Sequence, residues 1–273
     1  MKKRNIRPFL FAFFSFLVLF HLMLFWHAKD NALKGFADFS AVYSAVKMVE
    51  NGQGSQLYDV AAQERVQSEL YPKVTNRNGM LVYDHPPFEA LPYLPLAYVS
   101  YQAAFVIWVI FSILVLLLTV CLLWPYMAEL KSLWSPLPVL LFLGFFPVCV
   151  ELLQGQDSLL LLLIFALVFT SLKKGHDVRA GGFLAIALFK FQYALPFLVP
   201  FVLWRRWKFV GSFVISSGIL FLLSLPVAGL RGTLSYATLI SNLVKGLPSH
   251  HAQSALGLLS NTMPNIRGTV EIL

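Results

Sequence analysis

The sequence predicts an all-α bundle of membrane-spanning helices, a polytopic fold, on three observations. Hydrophobic residues make up 58% of the 273 residues and charged residues only 12%, against roughly 25% charged in soluble domains. The apolar residues fall in continuous runs of about twenty, the length a helix needs to cross a ~30 Å hydrocarbon layer. These runs lack the strict alternation of barrel strands, and in lipid only a helix satisfies its own backbone when no barrel closes.

The first run, Pro8 to His27, follows the basic start Lys2-Lys3-Arg4 and is closed by no small-x-small cleavage site. Residues 1–27 are therefore expected to be a retained signal anchor, with the amino terminus inside. Residues 28–100 follow as an outer loop, opening with a helix in which Phe39, Val42, Val46 and Val49 recur at helical spacing. That helix is expected to lie along the outer membrane face, with Asp38 at its head and at the border of the apolar stripe. Two roles are open to Asp38. One is an N-cap that accepts from the amide of Ser40 or Ala41; the other is a chemically active carboxylate.

Runs at about 101–124, 137–153, 157–172, 180–204 and 209–228 build the expected transmembrane bundle, residues 101–228. Residues 229–273 form a second outer segment that stops without a closing span, as a piece of a longer chain would. The basic clusters Lys2-Lys3-Arg4-Arg7, Lys131, Lys173-Lys174-Arg179 and Arg205-Arg206-Lys208 set the orientation, because cytoplasmic segments collect Lys and Arg. The run 180–204 has basic residues at both ends, so a helical hairpin is expected there, with Lys190, Gln192 and Pro196 near its tip. Irregular backbone at membrane depth requires a cavity or protein around it. An ionised Lys190 requires the same, unless it snorkels to the surface.

Charge and composition also exclude classes. The net charge of +8 sits in short clusters between apolar runs and not in a basic, aromatic-interleaved patch, which excludes nucleic acid as a partner. Cys121 and Cys149 lie in apolar runs, where small thiols pack without reacting. The pair His250-His251 has adjacent residues pointing apart and no further spaced ligands, so no metal site is expected. His21 is expected to find a partner within the bundle. Tyr58 and Tyr71 either stack on sugar or anchor at headgroups. Gln156 and Asp157 begin a span, where capping is the preferred role for Asp157 and Gln156 either caps or lines a pocket.

Five segments, in order, carry a resemblance: ADFSAVYSAVKMVENGQGSQLYD (37–59), VYDHPPFEALPYLPLA (82–97), QGQDSLLLLL (154–163), GGFLAIALFKFQYALPFLVPFVLWRRW (181–207) and MPNIRG (263–268). Together they resemble glycosyltransferase family 87, of the polytopic GT-C fold. The chain departs from the family pattern at Phe191, which replaces a proline, and at Asp84-His85, a longer insertion than usual. The resemblance implies transfer of a hexose, often mannose, from a polyprenyl-phosphate sugar donor to a lipid or glycan acceptor outside the cytoplasmic membrane. It implies a single inverting displacement with Asp38 as general base. Lys190, Arg267 and His85 would hold the donor phosphate, with the sugar or a plain loop position as the alternatives for His85 and a solvated loop charge as that for Arg267, and Tyr83, Gln156 and Gln192 would line the pocket. A lipid-phosphate donor requires no nucleotide fold, no cofactor and no metal-binding Asp-x-Asp. A transporter or lipid flippase is the rival reading, with an inactive remnant as a third. Transporters usually repeat midplane charges in two halves, whereas the polar candidates here gather at one face.

Overall fold

Helices form where the apolar runs fall. The computed structural model describes residues 6–72, 74 and 81–245. The structure is 85% helical, with no strand among the described residues. Among the described residues, four helical runs, Arg7–Glu50, Tyr101–Tyr126, Asp177–Leu203 and Trp207–Asn242, are long and apolar enough to cross a membrane by length and composition. A fifth is added if Leu137–Leu143 and Phe146–Gln154, bent by 48°, count as one span. The chain is an all-α polytopic membrane protein.

It divides into two compact units. The first takes residues up to Leu33, Phe105–Ala187 and Phe191–Ser216. Its helices are α1 (Arg7–Asn31), most of α4 (Tyr101–Leu123), α5 (Ala128–Leu133), α6 (Leu137–Leu143), α7 (Phe146–Gln154), α8 (Ser158–Lys173), α9 (Asp177–Ile186), α10 (Phe191–Leu203) and the start of α11 (Trp207–Lys245). The outward faces of α1 and α4 are apolar, including Phe9, Phe16 and Trp26 on α1 and Leu114 and Leu118 on α4. Water would penalise such faces, and lipid does not. Val115 and Leu116 of α4 pack inward against Val148, Leu159 and Leu163.

The bend between α6 and α7 has a local cause. Gly144 closes α6 beside the Phe14 ring, and Pro147 near the start of α7 has no amide to return to the Leu143 carbonyl. That carbonyl lies 3.1 Å from Nδ1 of His21 on α1. A carbonyl can only accept, so the imidazole proton belongs on Nδ1. His21 thus has the partner within the bundle that its buried position requires.

Over 180–204, where a hairpin is expected, a 3-10 turn, Ala187–Lys190, joins α9 to α10. The two ends of this stretch meet. Arg206 forks onto both oxygens of Asp177, with Nε donating over 3.0 Å, and ties the α10–α11 turn back to the first turn of α9. A Cβ on Gly181 would overlap the Phe209 carbonyl, so only glycine permits α9 and α11 to approach this closely.

The second unit takes Lys34–Ala104, Leu188–Lys190 and the chain from Ser217 onward. Its centre is α2 (Phe39–Glu50), which packs against a 3-10 run, Pro87–Tyr98, and against α3 (Val60–Leu70). Burial of α2 goes beyond its apolar stripe: Ser40 and Ser44 are enclosed along with Phe39, Val46 and Met48. Gly35, at φ 101°, turns the chain out of α1 through a widened π turn, Ala32–Phe36, and directs it into α2. Gly54 and Gly232 let the 3-10 turn Gly54–Gln56 reach the backbone of α11 at Val227, next to the break at Gly229. A Cβ at Gly54 would occupy the position of the Val227 carbonyl oxygen.

Candidate functional site

The second unit holds four of the seven candidates: Asp38, Tyr83, His85 and Lys190. Gln156 and Gln192 belong to the first unit, and Gln192 is exposed. Arg267 and the His250-His251 pair lie outside the described residues.

Asp38 occupies the N-cap position of α2 and makes no side-chain cap bond. The reason lies in its backbone. At φ −58° and ψ −28° Asp38 is already helical, so the Ser40 amide donates to the Ala37 carbonyl at 2.9 Å and the Ala41 amide to the Asp38 carbonyl at 3.0 Å. The two amides that a capping carboxylate would take are engaged. The side chain is half-buried, between an enclosed Ala37 and an enclosed Phe39.

Two glutamines one helical turn apart hold the segment that carries Tyr83 and His85. Gln63 accepts from the Tyr83 amide at 2.8 Å and donates to the Leu57 carbonyl at 2.8 Å. Gln67 donates to the Leu81 carbonyl at 2.6 Å and accepts from the Leu81 amide at 3.2 Å. An (i, i+4) pair on α3 therefore supplies the backbone partners that residues 81–83 would otherwise find in a sheet.

The clamp sets a stack of rings. Tyr83 is 1% exposed and lies near-parallel to Tyr58 at 6.3 Å and to the His85 imidazole at 5.8 Å. Enclosed to that degree, Tyr83 supports the stack. Tyr58 donates its hydroxyl to the His85 carbonyl at 2.7 Å, and Tyr236 closes on Tyr58 from α11 at 5.2 Å. Burial pushes the Tyr58 hydroxyl pKa up, with Tyr236, Glu89 and Asp84 adding to the shift.

Glu89 escaped the sequence reading. Its carboxylate is buried and sits 2.7 Å from Nδ1 of His85, with the Tyr83 hydroxyl 3.4 Å away. A lone acid in the apolar stretch PFEALPYLPLAY was the available signal, but its partner appears only once the 3-10 run places the two residues together. Asp84 lies on the other side of the imidazole, 3.5 Å from Nε2.

Lys190 is half-buried at the end of its 3-10 turn. Leu188–Lys190 belongs to the unit of Asp38 and His85, although α9 and α10 on either side belong to the other.

In the first unit, Asp157 holds the N-cap position of α8 without a side-chain cap bond, contrary to the capping expected of it. Glu151 of α7 does that work, accepting from the amides of Ser158 and, at 3.2 Å, Leu159. A left-handed Gly155 reverses the chain so that the Glu151 carboxylate faces those amides. Gln156 contributes its carbonyl, which accepts from the Trp108 indole at 3.0 Å.

The sequence model of glycosyltransferase family 87 matches residues 83–263, more than half of the chain. The chain belongs to glycosyltransferase family 87. No curated protein and no solved structure matches it. Membership makes this polytopic protein a membrane glycosyltransferase, with a sugar donor and an acceptor as its substrates. The match begins at Tyr83, so it takes in His85, Glu89, Gln156, Lys190 and Gln192 and leaves α2 and Asp38 before it.

Proposed function

We propose that this family-87 glycosyltransferase moves a hexose, most consistently mannose, from a polyprenyl phosphate to a lipid or glycan acceptor at the outer face of the cytoplasmic membrane. The observation that carries the reading is the family match over residues 83–263, and Asp38, half-buried at the head of α2, is the carboxylate assigned to the proton transfer. Asp38 takes the proton from the acceptor hydroxyl as its oxygen attacks the anomeric carbon. The bond from that carbon to the phosphate oxygen breaks, and the polyprenyl phosphate leaves with the electron pair. A single displacement inverts the carbon and needs one base and no covalent intermediate. Lys190 and Arg267 act on the leaving phosphate, as fixed charges that strengthen their hold while negative charge develops. The membership of Lys190 in the unit of Asp38 supports that division of roles. The positive-inside pattern supports an inside amino terminus, with residues 28–100 and 229–273 outside.

The test is consumption of a polyprenyl-phosphate hexose by the purified protein, with and without candidate acceptors. Transfer that is lost in Asp38→Asn while donor binding persists is the expected result. Wild-type protein that neither binds nor consumes the donor ends the reading.

A further inference from the structure

Within the first unit, α4 packs inward through Val115 and Leu116, and next to that contact α4 and α6 enclose a groove. Its volume is about 390 Å³, within the ~300–1,000 Å³ range of ligand sites. Leu117, Val120, Cys121 and Trp124, at the end of α4 and the turn that follows it, line one wall, and Phe142 and Leu143 of α6 line the other. A thiol and an indole are the only polar groups among these side chains, so a polar ligand would give up its water there without gaining partners. A hydrocarbon chain has no such water to lose.

One end of the groove carries charge. Lys131 of α5 holds its ammonium 4.9 Å over the Trp124 ring, the same ring that lines the groove. Arg7 of α1 donates to the Leu133 carbonyl, two residues further along α5, so two cations flank this helix against one exposed carboxylate, Glu129. Tyr126 follows Trp124 in the 3-10 turn, and Trp134 packs edge to face with Phe11. Such a belt of Trp and Tyr sits at headgroup level, where basic residues attract anionic lipids. We propose that the groove holds one acyl chain of an anionic phospholipid, whose phosphate lies against Lys131 and Arg7. This lipid is distinct from the sugar donor. Lys190, assigned to the donor phosphate, belongs to the second unit, and the groove lies at the end of α4 remote from Tyr101, where residues 28–100 lead in.

The experiment titrates the purified chain in detergent with dioleoyl phosphatidylglycerol, dioleoyl phosphatidylcholine and polyprenyl phosphate, and counts bound lipid by native mass spectrometry. The wild type is expected to hold one phosphatidylglycerol more tightly than phosphatidylcholine. Lys131→Gln should weaken phosphatidylglycerol about fivefold, the scale of one basic residue near an anionic surface, and leave phosphatidylcholine unchanged. Leu117→Trp fills the groove from a side chain that is 51% exposed, so the thermal midpoint should hold while the tight phosphatidylglycerol is lost. Phosphatidylglycerol kept by Leu117→Trp lies elsewhere, and equal wild-type affinities for the two phospholipids mean ordinary lipid contact; either result overturns the proposal. So does selective loss of polyprenyl phosphate from Leu117→Trp, which would give the groove to the donor tail. Should Leu117→Trp lower the thermal midpoint, the wild-type thiols decide, since Cys121 is exposed and Cys149 buried. Saturating phosphatidylglycerol is expected to slow the labelling of Cys121 by N-ethylmaleimide, and an unchanged rate overturns the proposal.

Discussion

Asp38 and Asp59 stand at the same position of two successive helices in one compact unit, and the two carboxylates are used differently. Asp59 precedes α3 with an extended backbone, φ −84° and ψ 110°, and accepts from the amides of Ala61 and Ala62 at 2.9 and 3.1 Å. Asp38 precedes α2 with a helical backbone, and its carboxylate accepts no cap bond. An N-cap works because the residue is not yet helical and its side chain can fold over the orphan amides. The backbone conformation therefore separates a carboxylate that caps its helix from one that does not.

The strongest way to break this contrast is Asp38→Asn. Asparagine keeps the shape and removes most of the basicity, so a base predicts a loss of transfer of about 10²-fold or more. Thermal stability should hold, because no cap bond is lost. A transfer assay beside a melting curve checks both, and normal turnover would place Asp38 with Asp59 as a structural residue.

Glu151 extends the contrast to the first unit, where a side chain from the preceding helix serves the amides that Asp157 leaves. Glu151→Ala would strand buried amides at the head of α8, at a cost of about 1–3 kcal/mol. Denaturation in detergent measures the loss. A stability change near zero would mean that Asp157 takes over the cap, and with it the distinction drawn from backbone conformation would fail.

Asp59→Ala is the milder counterpart. It should lower stability by about 1 kcal/mol, the usual value of a helix cap, and leave turnover per folded molecule unchanged. A loss of turnover comparable to that of Asp38→Asn would remove the functional difference between the two residues.

The helices were legible in the sequence because membrane insertion writes itself into continuous apolar runs. Asp38 was legible as a residue at the head of a helix, but its backbone angles were not, since they depend on Gly35 and on the packing that encloses α2. The α6–α7 bend had signals in Gly144 and Pro147, whereas its closure by His21 is a contact across more than a hundred residues. Basic residues at both ends of 180–204 suggested a hairpin, whereas the contact of Arg206 with Asp177 that joins those ends is tertiary and was not legible. Glu89 was hidden for the same reason that Gln63 and Gln67 were: polar residues in a chain this apolar find their meaning in a partner, and the pairing is tertiary.

The smallest effect concerns Tyr58, which joins the His85 backbone to the core of the second unit. Its hydroxyl donates to the His85 carbonyl at 2.7 Å, and burial raises its pKa above the ordinary tyrosine value of 10.0. A raised folded-state pKa means that the unfolded chain loses this proton first as pH rises. The stabilisation is therefore complete below about pH 10 and declines at higher pH. Tyr58→Phe should cost about 0.5–1.5 kcal/mol near neutrality, the net value of one hydrogen bond, and flatten the alkaline decline. Denaturation midpoints at pH 8 and pH 11 compare the two proteins. An alkaline decline of the same steepness in the variant would show that other groups produce it and that Tyr58 anchors His85 by packing alone.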